Sequence, residues 1–256
     1  MIFVIGGKGL VGSAVIRLLN KRGISYKNIQ RENKEEFYSS SCDILIYANG
    51  NAIKYKAKED PLFDYHASVS SLAEYVHKIK FNKFVYFSTV DVYDDTSSIM
   101  ATNEEHQIDE DKLSTYGFHK ILAEKYVRHF CKDYLIFRLP GLAGPGLTKN
   151  PLFDYLHPNK KVMISKESYL NFIHTDIIAE TIFVILNKKI TNQTFNLASA
   201  NSIKISDIEK ISGLKSEFSD DAEKYIQQYK INVEKICRYI KMDDSEESIL
   251  KYIREL

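Results

Sequence analysis

The sequence predicts an α/β protein, a doubly wound parallel sheet followed by a small, mostly helical cap. Three observations lead there. Apolar runs of strand length alternate with amphipathic stretches of helix length, a glycine-rich turn joins the first run to the first helix, and the text beyond residue 199 becomes charged and helical. With 256 residues the chain can bury a full apolar core, as one large domain or two small ones.

Residues 2–5 form a continuous apolar run suited to a buried strand. "LVGSAVIRLLNKRG" then repeats its apolar residues at helical spacing until Gly23 ends it. A second strand is expected over 24–30, a third in "DILIYA" (43–48), a helix over 65–80 and a buried strand in "KFVYFS" (83–88). A helix from Ser114 to Phe130, a strand "YLIFRL" (134–139), a Gly/Pro turn, a helix from Asp176 to Leu186 and the run "TFNLAS" (194–199) continue the alternation. Helical segments are expected at Asp207–Ile211, Ala222–Tyr229 and Glu246–Ile253; none offers a long apolar face, so all should pack on the sheet.

The turn "GGKGLVGS" sets Gly6, Gly9 and Gly12 in a GxxGxxG arrangement between strand and helix. Glycine permits the tight turn, lets backbone approach a pyrophosphate and allows close helix packing, while the helix N-terminus offers free N–H groups and partial positive charge. This points to a Rossmann-type dinucleotide site, in which Leu10 and Ala48 count with the glycines as cofactor-binding positions. The second strand ends in "IQRE", with Gln30 where a carboxylate would hold an unesterified ribose. Arg31 stands ready to pair with a 2′-phosphate, so NADP(H) is favoured over NAD(H), which stays possible.

"KFVYFS" delivers Ser88 and Thr89 to the carboxyl end of a parallel strand, where such sheets bind ligands. In "YGFHK" Tyr116 precedes Lys120 by one helical turn, and of seventeen tyrosines it alone has a lysine four places on. An ammonium beside the phenol would favour the phenolate and bring the ordinary pKa of ~10 down toward working pH.

The turn "GGKGLVG" together with "FSTVDVY" (87–93), "YGFHK", "RLPGLAGPG" (138–146), "FIHTDIIAE" (172–180) and "FNLAS" (195–199) resembles the extended short-chain dehydrogenase/reductases that act as nucleotide-sugar epimerases, dehydratases and reductases. The resemblance covers almost the whole chain. It implies that Thr89 hydrogen-bonds the reacting oxygen, that Tyr116 is the acid/base, and that Lys120 tunes it and holds the nicotinamide ribose. Pro140 and Gly141 would approach the nicotinamide amide. Gly141 and Asn150 would lie by the substrate, Asn150 near its phosphates. His174 and Asp176 match a motif that packs the fold. It further implies no metal, a nucleotide-sugar substrate and a homodimer through the Tyr116 helix and the helix over 65–80. The domains expected are a dinucleotide-binding unit over 1–147, with returning segments about 172–199, and a substrate cap from 148–171 and 200–256.

Three departures narrow the reaction. Dehydratases carry an acid pair after the threonine, and here Val90 precedes a single Asp91, which argues against 4,6-dehydration. Gly141 and Ser68 stand where the family commonly has asparagine. The interval between the second strand and "DILIYA" is too short for the usual extra strand and helix, so the adenine side should be trimmed. The expected activity is NADP(H)-dependent reduction of a keto nucleotide sugar, at C4, in deoxysugar or surface polysaccharide biosynthesis. The alternatives are an NAD-dependent epimerase or dehydrogenase and a regulator that only senses the dinucleotide; retention of Thr89, Tyr116 and Lys120 speaks against the regulator.

The totals exclude other classes. A net charge of +1, with lysines such as those in "KKV" (160–162) set among acids, gives no polyanion-binding surface, so no nucleic acid is expected. Three scattered cysteines form neither a disulfide framework nor a metal motif and suit a reducing cytoplasm. No apolar run reaches the ~20 residues of a membrane helix.

Overall fold

A computed structural model describes all 256 residues. Six parallel strands form the central sheet: β1 (Ile2–Ile5), β2 (Tyr26–Ile29), β3 (Ser41–Tyr47), β4 (Lys80–Thr89), β5 (Tyr134–Leu139) and β6 (Gln193–Asn196). Their spatial order is β6-β5-β4-β3-β1-β2. Ile2 pairs with Tyr26 on one side and Ile44 on the other, so the winding reverses at β1. The crevice at the strand ends beside β1 is therefore the switch point where such sheets take ligands.

Alternation along β1 divides the core in two. Ile2 and Val4 pack with Ala14, Val15 and Leu18 of α1 (Leu10–Lys21) and with Ile178 and Ile182 of α6 (Thr175–Asn187). Phe3 and Ile5 face the opposite layer, with Leu72, Tyr75 and Val76 of α3 (residues 61–78) and Ala123 and Val127 of α4 (Thr115–Phe130). A one-residue slip would exchange the two sets, so register is strongly specified. Helix α2 (Lys54–Glu59) precedes α3, which spans 61–78 and passes through a π-helical turn at His66–Ser70. Between β2 and β3 there is only a 3-10 turn, Lys34–Phe37, with no further strand or long helix.

A third cluster joins Leu152 and Tyr155 of α5 (Pro151–Leu156) to Val162, Leu170, Ile203, Ile208 of α7 (Ile208–Ser212), and Ile249 and Tyr252 of α9 (Ser245–Ile253). Asp244 and Glu247 form a capping box at the start of α9. The expected helix over Ala222–Tyr229 is corrected: one 3-10 turn, Ala222–Lys224, is all that forms. Beyond it the backbone is drawn out by tertiary pairing. Tyr169 N–H donates to Gln227 O at 2.9 Å, and Tyr229 N–H to Tyr169 O at 2.8 Å. A short helix, α8 (Glu234–Cys237), follows this strap. No helix is long and apolar enough to cross a membrane.

Candidate active site

The glycine turn enters the crevice from β1. Gly9 caps α1 without a side chain, so the first N–H groups of a twelve-residue helix are left to a ligand. Gly12 lies so close to the turn that an added Cβ would stand 2.3 Å from Gly6 O and 2.9 Å from Gly7 Cα. Backbone thus forms a cradle that side chains would fill, and these residues fit a dinucleotide. Leu10 opens α1 at the mouth, and Ala48 ties its N–H to Ile5 O at 3.0 Å. Arg31 is exposed in the turn after β2 and has no acidic partner, while Gln30 donates to Asn28.

Across the crevice, β4 ends at Thr89 and α4 crosses its end. Ser114 caps α4 by accepting from Gly117 N–H at 3.2 Å. Gly117 lets the helix lie against the strand end, since a Cβ there would meet Asp91 O at 2.2 Å. This contact brings Tyr116, 8% exposed, beside Thr89 and Asp91. Lys120 is buried too, and its ammonium donates to Phe87 O at 3.0 Å and to Tyr86 OH at 3.3 Å. Thr89, Tyr116 and Lys120 therefore converge on the strand end that faces the glycine turn.

The electrostatics depart from the sequence expectation. Burial pushes the Tyr116 phenol above its ordinary range, and the Asp91 carboxylate adds to this. The opposing influences are the Lys54 ammonium and the Thr89 hydroxyl. The Lys120 ammonium is directed at Tyr86 OH and Phe87 O. Burial lowers Lys120 itself to about 8, against the pull of Asp64, Glu124 and Asp91.

Asp91 is the hub of this mouth. Its Oδ2 accepts from Thr89 Oγ1 at 2.9 Å, and its Oδ1 accepts from Lys54 Nζ at 2.7 Å and Tyr229 OH at 2.5 Å. Burial disfavours its charge, yet Lys54 and these hydrogen bonds hold the carboxyl below the usual range. Nothing local in the sequence points to Lys54 or Tyr229. The first sits among ordinary lysines, and the second lies in the strap expected to be helical. A second buried carboxylate, Asp64 on α3, accepts from Asn51 Nδ2 at 2.8 Å and pairs with His119 Nδ1 at 2.7 Å. Ser68 belongs to the same cluster through a 3.4 Å bond to Asp64.

Other expected positions also have structural partners. Asn150 caps α5 by accepting from Phe153 N–H at 2.8 Å, and its amide donates to Leu142 O at 2.8 Å, so both ends of the side chain are engaged. Gly141 replaces the family's asparagine for a steric reason: Phe172 Cδ1 lies 2.7 Å from where a Cβ would be. Pro140, half-buried, follows β5 directly. His174 caps α6 through Asp176 N–H at 3.2 Å and pairs with Glu255 at 2.9 Å. These three side chains could crowd one cation, but Arg17, 2.7 Å from Asp176, and Lys251, 3.5 Å from it, already pair with that aspartate.

The chain matches the model of the NAD dependent epimerase/dehydratase family over residues 2–198. It belongs to that family. With it comes membership of the extended short-chain dehydrogenase/reductase enzymes, as the motifs suggested. No curated protein matches the chain by sequence. Among solved structures it is similar to a UDP-galactose 4-epimerase, with 17% identity, 99% of this chain and 97% of that one covered, and a TM-score of 0.79. A UDP-glucuronic acid 4-epimerase from Bacillus cereus, in complex with UDP-glucuronic acid and NAD, shares 17% identity over 99% of both chains at a TM-score of 0.76. A UDP-N-acetylglucosamine 4-epimerase from Methanobrevibacter ruminantium shares 15% over 99% of this chain and 96% of that one, at 0.79. At these identities the family members share the fold.

Proposed function

We propose that this protein transfers hydride at a single carbon of a nucleotide sugar, and that its net reaction is reduction of a keto sugar with NADPH. The convergence of Thr89, Tyr116 and Lys120 on the strand end opposite the glycine turn carries the reading. When bound, the nicotinamide would supply the hydride. Tyr116 would give its phenolic proton to the carbonyl oxygen, Thr89 would hold that oxygen in place, and Lys120 would lie under the cofactor ribose. The segments 148–171 and 200–256 would cover the sugar side. Two observations favour reduction. Arg31 is exposed and unpaired where a 2′-phosphate would lie, and the short β2–β3 connection leaves the adenine end little cover, which suits a cofactor that leaves after each turnover.

Epimerisation through a transient ketone, with retained NAD, is the second reading. It is favoured by the family match and by the similar 4-epimerases. Exposed Leu62, Phe63 and Tyr65 on α3 and Phe118 and Phe130 on α4 support the homodimer as part of either reading. The test is purified protein with NADPH and 4-keto nucleotide sugars. Stoichiometric loss of reduced-nicotinamide absorbance supports reduction. Interconversion of C4 epimers without net cofactor change supports the second reading, and no turnover with any nucleotide sugar overturns both.

A further inference from the structure

A hydroxyl has one hydrogen to give, and at Thr89 it is already given. Thr89 Oγ1 donates to Asp91 Oδ2 at 2.9 Å and accepts from Asp91 N–H at 3.2 Å, so one residue takes the hydrogen and fills one of the two lone pairs. Asp91, paired with Lys54, is ionised and can only accept. As the mouth stands, Thr89 therefore offers a lone pair. That suits the hydroxyl of an alcohol, which can donate. A carbonyl oxygen only accepts, so for Thr89 to hold one its hydrogen has to leave Asp91.

Two groups ease that departure. Lys54 Nζ and Tyr229 OH donate to the Asp91 carboxylate at 2.7 Å and 2.5 Å, and both remain when the Thr89 hydrogen turns away. Tyr229 is firmly placed. Its backbone N–H donates to Tyr169 O at 2.8 Å, and its carbonyl accepts from Ser202 Oγ. On either side of it, Lys230 N–H donates to Thr96 O and Thr96 Oγ1 donates to Gln228 O, both at 2.7 Å. The strap is thus pinned both to the cap and to the loop after β4. The Lys54 side chain is 57% exposed, so its ammonium could lie in water; it lies on Asp91 instead.

We propose that Lys54 and Tyr229 are positioning residues that keep Asp91 satisfied, so that the single hydrogen of Thr89 can pass from Asp91 to the oxygen of a keto sugar. This rests on the reading of Thr89 as the group that holds the reacting oxygen. Asp91 and the carbonyl oxygen compete for one hydrogen, and Lys54 and Tyr229 weigh against Asp91. Their loss should tighten the carboxylate's hold on Thr89. Loss of the carboxylate should end it.

The competition gives the experiment. Binding is measured by calorimetry in two complexes where no hydride can move: UDP-4-keto-6-deoxyglucose with NADP⁺, and UDP-glucose with NADPH. Tyr229→Phe and Lys54→Met should each weaken the keto sugar relative to the hydroxy sugar by about three- to tenfold, and Asp91→Ala should shift the ratio by a similar factor the other way. Changes of one sign in all three variants, or an unchanged ratio, would overturn the proposal, since a purely structural Asp91 would weaken both sugars alike. A second measurement needs no sugar. By NMR of protein with labelled threonine, the Thr89 hydroxyl proton should be slow to exchange, and faster in Asp91→Ala; equal exchange would also overturn the proposal. Were neither sugar to bind the unmodified protein, the functional reading would fall while the exchange measurement still decided whether Asp91 holds the hydrogen.

Discussion

The two sides of the crevice are built differently. The glycine turn is backbone: its ligand-facing groups are N–H donors, and its precision comes from residues within one short stretch, packed so that Gly12 admits no Cβ. The mouth around Tyr116 is made of side chains from α2, β4, α4 and the strap, whose charges and hydrogen bonds decide what the phenol does. A backbone site should therefore fail sterically and all at once. The side-chain site should fail by degrees, as protonation and placement change.

The sharpest contrast is Tyr116→Phe, which removes the proton carrier and leaves the cradle intact. Turnover should fall by about 10²–10⁴-fold while dinucleotide affinity, measured by calorimetric titration, is largely kept. Equal loss of binding would mean that the two sides are not separable.

Glu124→Gln tests the scaffold of the side-chain half. Glu124 ties α4 to β5, accepting from Arg138 Nε at 3.0 Å and Nη2 at 2.8 Å, with Arg138 2% exposed and 4.8 Å from the Tyr93 ring centre. Leaving that guanidinium unpaired should cost about 3–5 kcal/mol, read as the denaturant midpoint. The pH dependence has a definite sign. Burial opposes the charge on Glu124, but Arg138 holds its carboxyl below the ordinary value. Its stabilisation is therefore fully present above the unfolded value of about 4.3 and lost as pH falls through the lower folded one. The variant should show a flatter acid limb.

Gly12→Ala challenges the backbone half. A Cβ 2.3 Å from Gly6 O forces the turn to open, with about 1–3 kcal/mol lost and dinucleotide binding abolished in the same assay. Retained binding would show the cradle to be more compliant than its geometry says. The smallest effect is expected of Arg31→Ala, an exposed side chain: a weakening of NADPH relative to NADH by roughly tenfold, about one charge-assisted hydrogen-bonded pair. An unchanged ratio would remove Arg31 from the site.

The amino-acid sequence alone determined the strand–helix alternation, the glycine turn and the placing of Thr89, Tyr116 and Lys120, because each of these rests on spacing within one element. The strand YLIFRL forms over the expected residues, Tyr134–Leu139, because an apolar run buried on both faces has no competing pattern. Only the tertiary structure decided that the strap around Tyr229 is extended, that Asn150 is spent on a cap, and that Lys54 and Tyr229 both bond Asp91 at the mouth. Each of these depends on which distant group satisfies a buried polar atom. That is settled by packing, and local periodicity carries no record of it.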